Sequence, residues 1–368
     1  MDYTIDKLLE NNFENKICFT AALHDVLWLN GLQINSNILF LLQLKSFIHV
    51  FDFNYNSHNF TGISFGLKNS DIKMLDSLGI DFEYVENSEF DKYIKSGIPL
   101  VGRTCLSVLN KRNHKVDFEP LHTEIFMKLE NEMYFTSAIG TTKEKFYTNR
   151  PKCLVDKARH SLVIPFSPKG LAYRISTSMS QNELDIAVKK QIRKVMLEII
   201  NSYTVIASPL MEKNDNNENM YFYSGIACHD VIITFINRIA DLYCEKQITK
   251  TNFVVNMHIL LKCIMPNLSN GDFARTEICN SLSYLSAFFN DSSFSDSAII
   301  FEKSKVYWLK LAKILYNPKK FLEDEQLVDF RVMMSDIFKN IFEIEQKAIS
   351  VINLQCLIKD EQESPCYD

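Results

Sequence analysis

The sequence predicts an α+β domain over residues 1–177 followed by an all-α helical domain over 178–368. Three observations lead there. A chain of 368 residues with 46% hydrophobic residues is long enough for two cores. Up to about residue 177, short helical and strand patterns alternate between turn signals. From Ser180 onward long helical periods dominate, with no internal repeat, which indicates a bundle and not a solenoid.

The first element carries the chemistry. Asn15 to Gly31 reads as a helix: Asn15 is a good N-cap, Phe19, Ala22, Leu23, Val26, Leu27 and Leu29 follow the helical period, and Asn30-Gly31 is a natural stop. With Asn15 as cap, Cys18 is the third helical residue, beside unpaired N–H groups and the positive end of the dipole, where a thiolate is favoured. Ile38 to Phe53 is apolar and fits helix or strand; Asn54 to Gly62 reads as a loop. Ser70 to Gly79 is a short capped helix, Ile80 to Val85 a strand, Ser88 to Ser96 a helix ended by Gly97, and Ile98 to Gly102 opens a buried strand running toward Leu109. After the basic turn Lys111 to Lys115, Leu121 to Leu129 and Met133 to Ala138 read as a hairpin, with His122 at the start of its first strand. Leu162 to Phe166 and Leu171 to Ile175 are the last strands of this half.

In the second half helices are expected over Asn182 to Ile206, Tyr221 to Lys246, Asn252 to Met265, Phe273 to Phe289, Ser295 to Tyr316 and Glu323 to Ile358, with Glu212 to Asn219 as a loop. The tail from Lys359 to Asp368 is charged and is expected to be mobile.

Charge and cysteine usage narrow the function classes. A net charge of −5 gives no global attraction to nucleic acid or to an anionic membrane. The nine cysteines are scattered without a C-x-x-C pair, as in a reducing cytoplasm. The N-terminus lacks a basic segment followed by an apolar one, and the apolar runs are too short and polar to span a bilayer. Cys228, His229, His258 and Cys263 lack the i, i+3 or i, i+4 spacing of a helical metal site, so no metal is expected.

A helix-borne cysteine followed about a hundred residues later by a histidine at a strand start is the order used by papain-like enzymes. The helix holds the sulfur, and the imidazole takes the thiol proton and later delivers it to a leaving group. Asn15 to Gly31, Gly97-Ile98-Pro99-Leu100-Val101 and Asp117 to Phe126 resemble the corresponding blocks of the butirosin-biosynthesis acyltransferase family, whose first domain is similar to bacteriocin-processing papain-like peptidases. Gly225-Ile226, Arg275 and Tyr307-Trp308 resemble features of that family's helical domain.

The resemblance implies a papain-like first domain and ATP-independent acyl transfer. Cys18 takes an acyl group from a phosphopantetheine thioester on an acyl or peptidyl carrier protein and passes it to a small amine, a diamine in closthioamide-like biosynthesis. His122 serves as general base and then acid, no cofactor of the enzyme's own is required, and the helical domain is expected to cover the cleft. The same dyad would also serve a peptidase or amide hydrolase. The family's Asp after the histidine strand is replaced by Phe135-Thr136-Ser137-Ala138, so Thr136, Ser137 or a backbone carbonyl is left to orient the ring. Asn12 stands where the related peptidases carry an oxyanion glutamine, with the Cys18 N–H as the other donor. Lys111, Arg112 and Lys115 are a solvated turn or a dock for an acidic carrier protein.

Overall fold

Pairing between strands distant in sequence divides this chain. The computed structural model describes residues 17–55, 58–64, 69–110, 121–139, 145–162, 167–213, 219–264, 272–322 and 324–358. Backbone contacts group it into two units, 1–43 with 69–191 and 44–68 with 192–368. The changeover thus falls at 191/192 and not at 177, and residues 44–68 join the second unit.

The first unit contains α1 (Cys18–Leu29), α2 (Ser36–Leu42), α3 (Ser70–Leu78), β3 (Phe82–Tyr84), α4 (Phe90–Lys95), β4 (Leu100–Thr104), α5 (Leu106–Leu109), β5 (His122–Glu130), β6 (Met133–Ile139), β7 (Lys145–Pro151), α6 (Lys152–Arg159) and β8 (Ala172–Ile175); β1 and β2 belong to the second unit. Its six strands form one antiparallel sheet, ordered β3-β8-β4-β5-β6-β7. The β5–β6 hairpin turns through Asn131 and Glu132, both in the left-handed region at φ 48° and 57°, as a two-residue turn matched to strand twist requires. A bulge between Phe126 and Lys128 shifts the register beyond the turn. β5 is covered on both faces from His122 to Phe126. One face carries a core of Phe90, Ile94, Leu100, Leu109, Phe126, Tyr134 and Val155. The helix α1 packs across β4, β5 and β6.

The second unit departs from the expected all-α bundle. β1 (His49–Tyr55) and β2 (His58–Ser64) form a hairpin, and β1 pairs with β10 (Asn219–Ser224), itself paired with β9 (Leu210–Lys213). The expected loop over Asn54 to Gly62 is therefore mostly strand, and the expected helix from Tyr221 begins only at Ala227. Gly62 stands opposite Phe51, where a Cβ would come within 2.3 Å of the ring. The helices are α7 (Gln181–Thr204), whose first part lies in the first unit, α8 (Ala227–Cys244), α9 (Lys250–Ile264), α10 (Arg275–Phe289), α11 (Ser293–Glu302), α12 (Ser304–Tyr316), α13 (Asp324–Ser350) and α14 (Gln355–Ile358), with a 3-10 turn at Pro318–Phe321. The single helix expected over Ser295 to Tyr316 is broken at Lys303.

At the centre of the second unit, Arg275 and Glu345 are fully buried and paired at 2.8 and 2.7 Å. Trp308 Nε1 and the Tyr203 hydroxyl donate to the same carboxylate, each at 3.0 Å, and Arg275 also donates to the Phe47 and Phe273 carbonyls. Among the described residues no helix is long and apolar enough to cross a membrane.

Candidate active site

The site starts from the way α1 begins. Ile17 is extended, at φ −94° and ψ 129°, and caps the helix without a side-chain bond, so Cys18 is the first helical residue and not the third. Asn15, the expected cap, lies outside the described residues. The first intrahelical bond joins the Ala21 N–H to the Ile17 carbonyl at 2.9 Å, which puts the sulfur's own residue at the positive end of the dipole. No acidic side chain stands in that first turn to compete for it.

The sheet supplies the partners. His122, the first residue of β5, and the backbone of the next residue, Thr123, both act electrostatically on the Cys18 thiol, while neither His122 ring nitrogen makes a hydrogen bond among the described residues. Cys18 is 3% exposed and His122 is fully buried. Burial alone raises a thiol pKa, yet the Cys18 thiol is lowered: the nearby His122 imidazole, the Thr123 amide and the Arg103 guanidinium together outweigh desolvation. The His122 imidazole moves the opposite way and is raised; desolvation opposes this, but Cys18 and Glu124 overcome it. Both shifts favour a thiolate–imidazolium pair. The other described cysteines with a displaced thiol, Cys228, Cys263, Cys279 and Cys356, are all pushed upward, chiefly by burial.

The group behind the imidazole was not foreseen. His122 Nε2 lies 3.4 Å from Glu124 Oε1, two positions along the same strand and so on the same face. Glu124 is fully buried, and its Oε1 accepts from Arg150 on β7 at 2.8 Å. A carboxylate that faces the imidazole and is itself held by a guanidinium can orient the ring and stabilise its cationic form. The signal for it, His122-x-Glu124 inside a strand, has the alternation of an exposed polar face.

The residues expected to fill that role are placed elsewhere. Thr136 is paired with Phe126, four residues along β5 from His122, or about 13 Å of strand. Ser137 pairs with Ile125 and donates to Asp25 Oδ2 at 3.3 Å, tying β6 to α1. The bulge after Phe126 sets this register, so neither hydroxyl orients His122. Asn12 and the basic turn Lys111 to Lys115 lie outside the described residues, as do Val163 to Phe166 of one expected strand.

Unsatisfied polarity gathers on β4 and β5 beside His122. Arg103 Nε, Thr104 Oγ1, Glu124 Oε2 and both ring nitrogens of His122 are buried and lack a hydrogen-bond partner among the described residues, and Thr104 pairs with His122 across β4 and β5. Each such atom costs about 1–3 kcal/mol, and proteins retain them mainly where function needs them.

Neither a family model nor a curated protein sequence matches the chain. What the site can do therefore rests on its own geometry: a buried sulfur at a helix start with its pKa lowered, an imidazole beside it with its pKa raised, and a carboxylate behind the ring. That set suits nucleophilic attack on an acyl carbon. Among the described residues no cluster of three or more His, Cys, Asp or Glu could hold a metal ion. His229 pairs with Asp230 at 2.9 Å, and Cys228 donates to the Ile48 and Tyr223 carbonyls at 3.7 and 3.3 Å.

Proposed function

We propose that this protein is an ATP-independent, amide-forming acyltransferase that uses Cys18 as nucleophile and His122 as general acid and base, oriented by Glu124. The feature that carries the reading is the opposite response of two buried neighbours, a Cys18 thiol lowered at the first residue of α1 and a His122 imidazole raised beside it. The resemblance of Cys18, Gly97-x-Pro99 and His122 in order and spacing to the butirosin-biosynthesis acyltransferases supplies the substrate class: an acyl group carried as a phosphopantetheine thioester on a carrier protein, and a small amine. The setting proposed is the cytoplasm, in a closthioamide-like biosynthetic pathway.

The chemistry balances without ATP, because the thioester is already activated. The Cys18 thiolate attacks the thioester carbonyl and forms a new C–S bond. The tetrahedral oxyanion collapses by breaking the C–S bond to pantetheine, whose sulfur takes the proton from the His122 imidazolium. An amine then attacks the acyl-enzyme and gives its proton to neutral His122, and the Cys18 thiolate leaves. The sum is thioester plus amine to amide plus thiol.

A peptidase or amide hydrolase would use the same first steps, and the two differ in what captures the acyl-enzyme. Incubating the protein with an acyl-carrier thioester and a diamine, then quantifying amide and free acid, separates them. Amide in excess over acid supports the transferase; acid alone, unaffected by amine concentration, refutes it.

A further inference from the structure

Arg103 is an expensive residue to bury. It is 8% exposed, its guanidinium donates to Asp71 Oδ1 at 2.5 Å, and its Nε has no partner among the described residues. A well-packed apolar side chain would serve a purely structural purpose at least as well. Its location argues for another purpose. Arg103 stands directly opposite Thr123 in the β4–β5 ladder, and Thr123 is the residue whose backbone bonds the Cys18 thiol. By strand alternation Arg103 shares a face with Val101, and their neighbours across the sheet on that face are Thr123, Ile125 and Tyr173. This is the face that α1 covers, since Ser137, paired with Ile125, bonds Asp25 of that helix.

The guanidinium is held there through Asp71, which Tyr173 fixes in turn. Asp71, in the first turn of α3, takes the Arg103 bond on one oxygen and a 3.0 Å bond from the Tyr173 hydroxyl on the other. Asp71 and Tyr173 are themselves buried. The charged or titratable groups that act on the sulfur are His122 on β5 and Arg103 on β4, with Glu124 and Arg150 behind His122, Asp71 and Tyr173 behind Arg103, and Asp25 farther along the same helix.

We infer that Arg103, pinned by Asp71 and Tyr173, is a positioning residue that supplies Cys18 with a second, permanent counter-charge besides the imidazolium. The inference rests on the reading of Cys18 as the nucleophile. Its use follows from the reaction: the sulfur is anionic both when it attacks the thioester and when it leaves the acyl-enzyme, and at each point the guanidinium adds its charge to that of the protonated ring. A guanidinium does not titrate, so its field persists through the cycle.

The test is the pH dependence of iodoacetamide alkylation at Cys18, followed by peptide mass mapping of the full-length protein. Arg103→Met is expected to raise the midpoint by about one pH unit, slowing labelling at acidic pH about tenfold. Arg103→Lys, which keeps the charge, restores most of the shift. Asp71→Asn removes the anion that competes for Arg103 and is expected to move the midpoint down; opposite shifts from two partners of one bond are not a consequence of loosened packing. In His122→Asn the remaining depression is lost on adding Arg103→Met. Coincident profiles for wild type and Arg103→Met, or an upward shift in Asp71→Asn, overturn the inference while leaving Cys18 as nucleophile. An ordinary thiol profile in the wild type overturns that underlying reading instead.

Discussion

Cys18 and His122 titrate in opposite senses, and the sign of each shift sets a pH window. The thiol is lowered, so the thiolate is lost only as pH falls through that depressed value. The imidazole is raised, so its proton is lost only as pH climbs through the elevated value. Single-turnover acylation by a thioester is therefore expected to follow a bell whose acid limb lies below the ordinary thiol value and whose alkaline limb lies above the ordinary imidazole value, checked by stopped-flow release of the pantetheine thiol. His122→Asn is expected to lower that rate by about 10²–10⁴-fold, the usual contribution of general acid–base catalysis. Glu124→Gln is expected to cost on the order of 10²-fold or more while Cys18 remains modifiable, because the ring loses its anionic partner and not the sulfur its environment. Outside the site, His49 on β1 gives a separate test. Burial and the neighbouring Lys45 push its imidazole down to about 3, and Nδ1 bonds the Ser224 hydroxyl at 2.7 Å. Its pKa is depressed on folding, so below the ordinary value of 6.5 the unfolded chain takes up the proton first. Stability then falls with pH from about 6.5 toward 3, by about 1.4 kcal/mol per pH unit from this residue. Urea titrations at several pH values should show His49→Leu with a flatter acid limb.

Among the elements, those that read clearly in the sequence are those whose signals are local. Helix α3 ends at Gly79, the terminating glycine that its sequence suggests, which sits at φ 70°, and the β5–β6 hairpin turns between the two strands that the sequence marks. What was illegible depends on partners far along the chain. His49 pairs with Ser224, 175 residues away, so the strand character of β1 and β10 arises from a ladder that neither segment announces alone. Gly62 marks the same hairpin, and Gly62→Ala is expected to destabilise by about 1–3 kcal/mol because the added methyl meets the Phe51 ring. Arg275→Met leaves Glu345 charged, buried and without its ion-pair partner, at a cost of about 3–5 kcal/mol. Both losses are read from denaturant midpoints.

For the whole molecule, a two-part α+β reading was accessible from length and from the change of periodicity near Ser180. The exact partition was not, because residues 44–68 leave the first half to supply two strands of the second unit's sheet. The site was legible to the same degree: a cysteine at a helix start and a histidine at a strand start announce themselves. Glu124, Arg103 and Asp71 do not, since charged residues at alternate strand positions or in a first helical turn look like solvated surface. Only folding shows them buried, Glu124 behind His122 and Asp71 behind Arg103. The account stands on the Cys18 sulfur accepting an acyl group, which intact-protein mass spectrometry with peptide mapping reads directly after exposure to an acyl-carrier thioester. The expected result is one added acyl mass on the Cys18 peptide, absent in Cys18→Ala; an adduct that persists in Cys18→Ala, or no adduct on the wild type, contradicts it.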